Sequence, residues 1–574
     1  MQAGYETNKL AIALFEKILS SYKDENTKLL INETVYDIYN SNVLMAAELN
    51  EKTSKPEYLQ SAFEYSEKGK SAVLLSTLRR SDAIITGRIP DSIKKLEQNL
   101  SQELALYKNN LFDENQKIVF DSNKIFNLKK VIFEKTFKYD SLINELEKKF
   151  PDYFQLKYSF NVSSISDVRK SLESSDAFLE YKIIDSVLIT FYLTCDTMIL
   201  SKQVITGNLT DSISQFLKFI NTFPVNNLNK ESYTTFILKG YYFYDLLLAK
   251  IDGLNKHKNL LIVPDGILGY LNFETLVMDN RVPKNIDFKN LPYVLKQYSI
   301  TFINSATIMQ RKKMLKLNNR QLLAIAPIYQ NIDNLILPQK QLTRDKLNML
   351  RPLDYSQQEV SDIMSSIHGM KLIDEMATER NFKIKAADYS IIHFAMHTLI
   401  DDEDPLKSKM IFTLNNDSAE DGFLNNYEIY NLNLNADLAV LSACKTGLGK
   451  YNRGEGVMSL ARGFMYAGVP TIIMTLWEIE DVSSAIIMNY FYKRLKEKVK
   501  VSDALRDAKI TYLNNSDVVR SHPYFWAAYV QIGDNSPIIT RSTNNYIVYP
   551  IVLLFLIIAI IVGRVRYKQM KSIN

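Results

Sequence analysis

From about residue 258 the chain alternates short, wholly apolar runs with amphipathic stretches, and this alternation restricts the fold more than any other feature. Apolar runs bounded by turn formers read as strands buried on both faces. Helices interleaved with them cover a largely parallel sheet. The expected strands are Leu260 to Val263, Leu322 to Ala326, Ile391 to Met396, Met410 to Leu414, Leu438 to Leu441, Thr471 to Leu476 and Ala527 to Ile532. Proline at the second position of Val263-Pro264-Asp265-Gly266 predicts a turn there. Val457, Leu460, Ala461, Phe464 and Met465 mark one face of a helix that Gly468 and Pro470 close. The fold class from here on is α/β.

Two of these strands end in chemistry. Ser390 to His397 reads SIIHFAMH, and Asp437 to Gly447 reads DLAVLSACKTG. In sheets of this kind reacting groups gather beyond the carboxyl ends of the strands, and His397 and Cys444 both fall there. The whole chain has five histidines and two cysteines, so the placement of both chemistries at strand ends points to a thiol nucleophile and its base. Cys444 is the candidate nucleophile and His397 the candidate base. Lys445-Thr446-Gly447 then leads the chain out of the sheet, whereas a cysteine without this setting reads as a buried, inert residue. His393 shares a strand face with His397 by the period of two and reads as a supporting, hydrogen-bonded residue.

Other chemistries fit poorly. Histidines four apart bind zinc from a helix, but on a strand they stand too far apart. Gly447-Leu448-Gly449-Lys450 lacks the Ser or Thr of a phosphate loop, because Tyr451 follows the lysine. That stretch, with Arg453, Gly454, Glu455 and Gly456, reads as a solvated loop bordering a substrate. No metal or organic cofactor is required.

The front of the chain is helical. Leu10, Leu14, Ile18 and Leu19 recur at helical spacing, and Ser41 to Leu74 reads as helix, short polar turn, helix. That segment resembles a tetratricopeptide unit, with Pro56 opening its second helix and Ala62 and Tyr65 facing the first. An irregular helical bundle is the other reading. Residues 91 to 112 and 122 to 149 predict two long helices in an antiparallel hairpin. From Ala177 the residues turn β-branched and aromatic, predicting strands, with Cys195 as a small packed core residue. The expected divisions are repeat-like helices at 1–90, the hairpin at 91–153, the α/β domain at 154–535, an apolar segment at 546–562 and a basic tail at 563–574.

The motifs LLIVPDGILGYLNFETL, IIHFAMH, LSACKTGLG, GEGVMSLARGFMYAGVP, TLWEIED and HPYFWAAYVQIGD follow one another in the order seen in the CHAT domain. The chain resembles this family of caspase-like cysteine peptidases, often joined to tetratricopeptide repeats, over about residues 155 to 535. The resemblance implies a caspase-like α/β fold whose earlier strand region is a degenerate or supporting half. It also implies cleavage of a protein or peptide substrate. In the family the second histidine of the pair is catalytic and glycine usually follows. Thr398 stands there instead, so Thr398 and Lys445 occupy the oxyanion and loop positions. LWEIED is similar to the separase run LWDVTD, which implies that Asp481 lines a pocket for an Arg or Lys side chain. An acid at that point also reads simply as a helix cap.

A net charge of +5, with four of the positive residues in the last eleven positions, gives nucleic-acid binding little support. Tyr546 to Val562 holds seventeen uncharged residues, about 26 Å as a helix, which is the lower end of a bilayer span. Tyr546 and Tyr549 flank one side, and Arg564, Arg566, Lys568 and Lys571 the other. The expectation is a single-pass membrane protein. The basic tail favours a cytoplasmic C-terminus, yet the first residues carry no export signal, so the side of the large domains stays open. The sequence therefore predicts a membrane-anchored cysteine endopeptidase whose repeat-like helices bind a regulatory protein. A catalytically silent signalling or assembly scaffold is the alternative.

Overall fold

The computed structural model describes every residue except 23–24, 87–88, 116–119, 158–160, 224–227, 312–320, 330–351, 402, 416–419, 444–445, 448 and 539–574. Its front consists of helices α1 (Gln2–Ser21), α2 (Glu25–Thr53), α3 (Pro56–Lys68), α4 (Ala72–Thr86), α5 (Asp91–Asn115) and α6 (Ser122–Lys149). Pro56 stands in the first turn of α3, where its missing N–H costs nothing. Ala62 and Tyr65 are buried, as the repeat-like pattern predicts. α5 and α6 pack against each other. Asp121 caps α6 by accepting from the N–H groups of Asn123 and Lys124 at 2.9 and 3.1 Å.

Behind these helices stands an eleven-stranded sheet. Its strands are β1 (Asp176–Ile184), β2 (Val187–Leu193), β3 (Met198–Val204), β4 (Asn259–Val263), β5 (Ser299–Phe302), β6 (Leu322–Pro327), β7 (Gly369–Asp374), β8 (Ile391–Ala395), β12 (Leu438–Ser442), β15 (Thr471–Thr475) and β16 (Tyr529–Gly533). β9 (Thr398–Leu399), β10 (Lys409–Ile411) and β11 (Phe423–Asn425) form a separate small sheet, and β13 (Gly449–Asn452) with β14 (Gly456–Ser459) form a hairpin. The large sheet runs β3-β2-β1-β4-β5-β16-β15-β12-β8-β6-β7. Its pairs are parallel except β1–β2, β2–β3 and β15–β16. Parallel strands are buried on both faces, and β4, β6, β8 and β15 accordingly have every residue buried.

The strand region before residue 258 is continuous with the rest, because β1 pairs with β4 and Phe302 of β5 pairs with Ile532 of β16. The helical front shares a core with this half. Phe63 of α3 meets Phe178 and Phe191 edge-on, with ring centroids 6.4 and 5.6 Å apart. Polar groups cross the same seam. Lys70 Nζ donates to the Tyr181 carbonyl at 2.7 Å and lies 3.0 Å from Glu180. Glu67 accepts the backbone N–H groups of Ala306 and Thr307, both at 2.8 Å.

Four expectations change. The run at Met410 forms a short strand outside the large sheet, because its partners are β9 and β11. Val457 lies in β14 rather than in the helix, which begins at Leu460. Glu455 is buried, not solvated. Cys195 is not packed in the core: it is half-buried just beyond β2, with its thiol 3.4 Å from Asp196. A tight turn between antiparallel strands turns its side chain out of the sheet interior. Among the described residues no helix is long and apolar enough to cross a membrane, and residues 546–562 lie outside them.

Candidate active site

β8 and β12 are neighbours in parallel register from Leu438↔Ile391 to Ser442↔Ala395. Both strands leave the sheet at one level, and the Met396 N–H donates to the Ser442 carbonyl at 3.4 Å. His397 stands two residues past Ala395, and position 444 stands two residues past Ser442. Cys444 and Lys445 themselves lie outside the described residues.

The chain on either side of those two positions is tied to the end of β15. The Thr475 hydroxyl donates to the Ala443 carbonyl at 2.6 Å. The Thr475 N–H donates to the Thr446 hydroxyl at 3.0 Å, and the Gly447 N–H donates to the Thr475 carbonyl at 2.8 Å. A Cβ at Gly447 would stand 3.0 Å from the Met474 sulfur and 3.1 Å from the Thr475 carbonyl oxygen, so any side chain here would require these neighbours to shift.

His397 is half-buried. Its N–H donates to the Tyr329 hydroxyl at 2.9 Å, and its ring lies over the Tyr329 ring with centroids 4.7 Å apart. Its carbonyl accepts from Ile411 at 3.0 Å. Thr398 opens β9 and pairs with Met410, so the residue after the histidine belongs to a small sheet rather than a free glycine loop.

His393 is fully buried. Its Nε2 lies 2.9 Å from Glu359 Oε1, and its Nδ1 lies 3.2 Å from the Tyr492 hydroxyl. Nε2 donating to the Glu359 carboxylate and Nδ1 accepting from the Tyr492 hydroxyl is the tautomer that satisfies both partners. Both ring nitrogens are engaged, leaving neither for a metal. Ser484 donates to the second Glu359 oxygen at 3.1 Å.

A small cleft of about 30 Å³ opens beside these strand ends. Ala395, Met396, Ser442 and Ala443 line one side of it, and Asp481 and Glu359 another. Asp481 opens the helix Asp481–Lys496. Burial pushes its carboxyl up to about 6, and the charges of Glu359, Asp354, Glu478 and Glu480 add to the effect. Glu359 escapes a reading of the sequence alone. Its signal is an acid on the apolar face of the helix Ser356–Met364, alongside Ser356, Val360 and Ile363, all buried.

Beyond position 448 the β13–β14 hairpin leans on the helical front. Glu455 Oε1 accepts from Asn32 Nδ2 at 2.9 Å and from the Val73 N–H at 2.8 Å, and its other oxygen pairs with the buried Arg462. The Ser71 N–H donates to the Gly454 carbonyl at 2.6 Å. Gly454 has a φ of +83°, and a Cβ there would stand 2.9 Å from the Asn32 amide nitrogen.

One acidic cluster lies elsewhere. Glu379, Glu420 and Glu428 bring ligand atoms within 4.8 Å of one another. Lys383 sits among them at 2.7, 2.8 and 2.9 Å, so a protein ammonium already supplies the positive charge.

The model of the CHAT domain matches residues 240–534. The chain belongs to the CHAT domain family. The CHAT match begins after β1, β2 and β3, although those strands hydrogen-bond into the same sheet. Tetratricopeptide repeat protein 28 of Homo sapiens is 24% identical over 339 residues, covering 51% of this chain and 13% of that protein. The Mus musculus protein of the same name is 30% identical over 114 residues, covering 19% of this chain and 4% of that protein. This CHAT protein thus aligns with only a small part of each relative. Among solved structures, the Arg-specific cysteine proteinase gingipain R has a TM-score of 0.31 at 11% identity, covering 58% of this chain and 75% of that chain. The Saccharomyces cerevisiae separase–securin complex has a TM-score of 0.38 at 12% identity, covering 89% of this chain and 38% of that chain.

Proposed function

We propose that this CHAT protein is a caspase-like cysteine endopeptidase with Cys444 as nucleophile and His397 as general base. The register of β8 against β12 carries this reading, because it brings the residues leading to positions 397 and 444 to one end of the sheet. His397 would take the thiol proton, and the thiolate would attack the scissile carbonyl. Collapse of the tetrahedral adduct would break the C–N bond as the imidazolium protonates the leaving amine. Water, deprotonated by His397, would then hydrolyse the thioester, releasing the acid and restoring the thiol.

The acidic cavity supports a substrate with Arg or Lys before the cut. Asp481 and Glu359 line one small cleft and their carboxylates repel, so a guanidinium or ammonium brought to it would relieve that repulsion. The repeat-like helices are proposed to bind a regulatory protein. The uncharged run 546–562 with its basic flank is proposed to span a membrane. The second reading, a silent scaffold, draws on Thr398, which belongs to β9 where the family usually has a glycine.

Arg- and Lys-terminated fluorogenic peptides supplied to the full chain test the proposal. Turnover by the parent and none by Cys444→Ala is the expected result. Equal turnover by both would remove the peptidase reading.

A further inference from the structure

α6 exposes three phenylalanines: Phe126 at 69%, Phe133 at 73% and Phe137 at 70%. Spacings of seven and four residues put them on one side of the helix, in an apolar strip about 16 Å long. Single exposed hydrophobic residues are ordinary, but an aligned strip marks an interaction surface.

The hairpin is held from its other side and at its base. Lys124 pairs with Glu114 at 3.1 Å, Lys135 pairs with Glu103 at 2.5 Å, and Tyr139 donates to Glu97 at 2.9 Å. Ile143 and Leu146 join Ala83, Ile89 and Tyr153 in a small core. Lys129, Lys130 and Lys138 differ from the paired lysines. They are exposed, and no ion pair engages them among the described residues. From Ser122 to Lys138, Glu134 is the only acid.

This charge pattern selects the occupant. A second copy docking strip to strip would bring lysines against lysines. Phenylalanines flanked by unpaired lysines suit the boundary of an anionic bilayer, where the rings enter the acyl region and the ammoniums reach the phosphates. We propose that α6 is a peripheral lipid-contact helix for anionic membranes, inserting Phe126, Phe133 and Phe137 with Lys129 and Lys130 at the headgroups. The proposal is independent of the catalytic reading and separable from the proposed span at 546–562.

The test uses the full chain carrying Phe133→Trp and phosphatidylcholine vesicles with brominated acyl chains, with or without phosphatidylserine. The chain's own Trp477 and Trp526 are buried, at 2% and 0% exposure, so the introduced indole dominates the vesicle-dependent signal. Its emission should shift to the blue and be quenched by the brominated chains when phosphatidylserine is present. Lys129→Glu with Lys130→Glu should weaken that response by about tenfold or more, and Phe126→Ser with Phe137→Ser should abolish it. The substituted side chains face solvent, so near-native circular dichroism is expected of every variant. Chain that floats with vesicles while the introduced indole stays unquenched would overturn the proposal and leave the span at 546–562 standing. Equal quenching without phosphatidylserine, or burial of that indole through self-association without lipid, would also overturn it.

Discussion

Asn32 and Glu455 are 423 residues apart in the chain, yet the Asn32 amide donates to the Glu455 carboxylate at 2.9 Å. The same carboxylate holds Arg462 and the first turn of α4, so the helical front grips the hairpin that follows the candidate nucleophile.

Glu455→Ala should destabilise the fold by about 3–5 kcal/mol, because it leaves the Arg462 guanidinium buried without its partner. Asn32→Ala keeps that pair and should cost only about 1 kcal/mol. Denaturant titration measures both. Hydrogen exchange in β13 and β14 should quicken in Asn32→Ala; unchanged exchange there would show that the grip does not restrain the hairpin.

Asp481 gives a pH signature. Its carboxyl titrates near 6 in the folded protein and near 3.8 ordinarily, so the native state holds this proton more tightly. Its stabilising contribution is therefore greatest below the ordinary value and falls as pH rises through about 6. Asp481→Asn should raise stability at pH 7.5 by about 1 kcal/mol once solvent screening of this partly exposed group is allowed for. In the proposed reaction, KM for Arg-terminated peptides should fall as pH rises through 6, and this dependence should vanish in Asp481→Asn.

Glu359 holds His393 Nε2 at 2.9 Å and lines the same cleft as Asp481. Glu359→Gln retains an acceptor for His393 and should fold with a loss of about 1 kcal/mol, whereas Glu359→Ala strands the buried imidazole N–H and should lose about 1–3 kcal/mol. Both should lower discrimination in favour of basic peptides. Discrimination that survives both substitutions would remove Glu359 from the specificity pocket.

His522 should make the protein sensitive to acid. Burial pushes its imidazole down to about 3, among Phe219 and Phe288 with ring centroids 5.0 and 4.8 Å away. The unfolded chain binds this proton more readily, so stability is complete above about 6.5 and declines as pH falls towards 3. His522→Asn keeps an acceptor for the Tyr524 N–H, which His522 now receives at 3.2 Å. The decline should flatten in thermal melts of that variant.

The strands legible in the sequence are those buried on both faces, such as Leu260 to Val263 and Ile391 to Ala395, because unbroken apolar runs declare themselves locally. β7 stays hidden because an edge strand need not be apolar, and Gly369 to Asp374 is mostly half-exposed or exposed. The hairpin Gly449 to Ser459 shows no alternation, and the burial of Glu455 depends on Asn32 and Val73, which no local pattern connects to it. His393 is legible as a supporting residue from its strand position, but its partner Glu359 lies on a helix 34 residues earlier. Cys195 is misplaced by its sequence because the β-branched run around it conceals a turn.

The joint between Phe302 and Ile532 has one more implication. With β5 seated against β16, that flank cannot accept a strand from a neighbouring molecule. Among the described residues the outer margins of the large sheet are β3 and β7, and β7 lies three strand spacings from β12, roughly 14 Å. An extended polypeptide added along β7 would therefore run beside β8 and β12 at that distance and not against them.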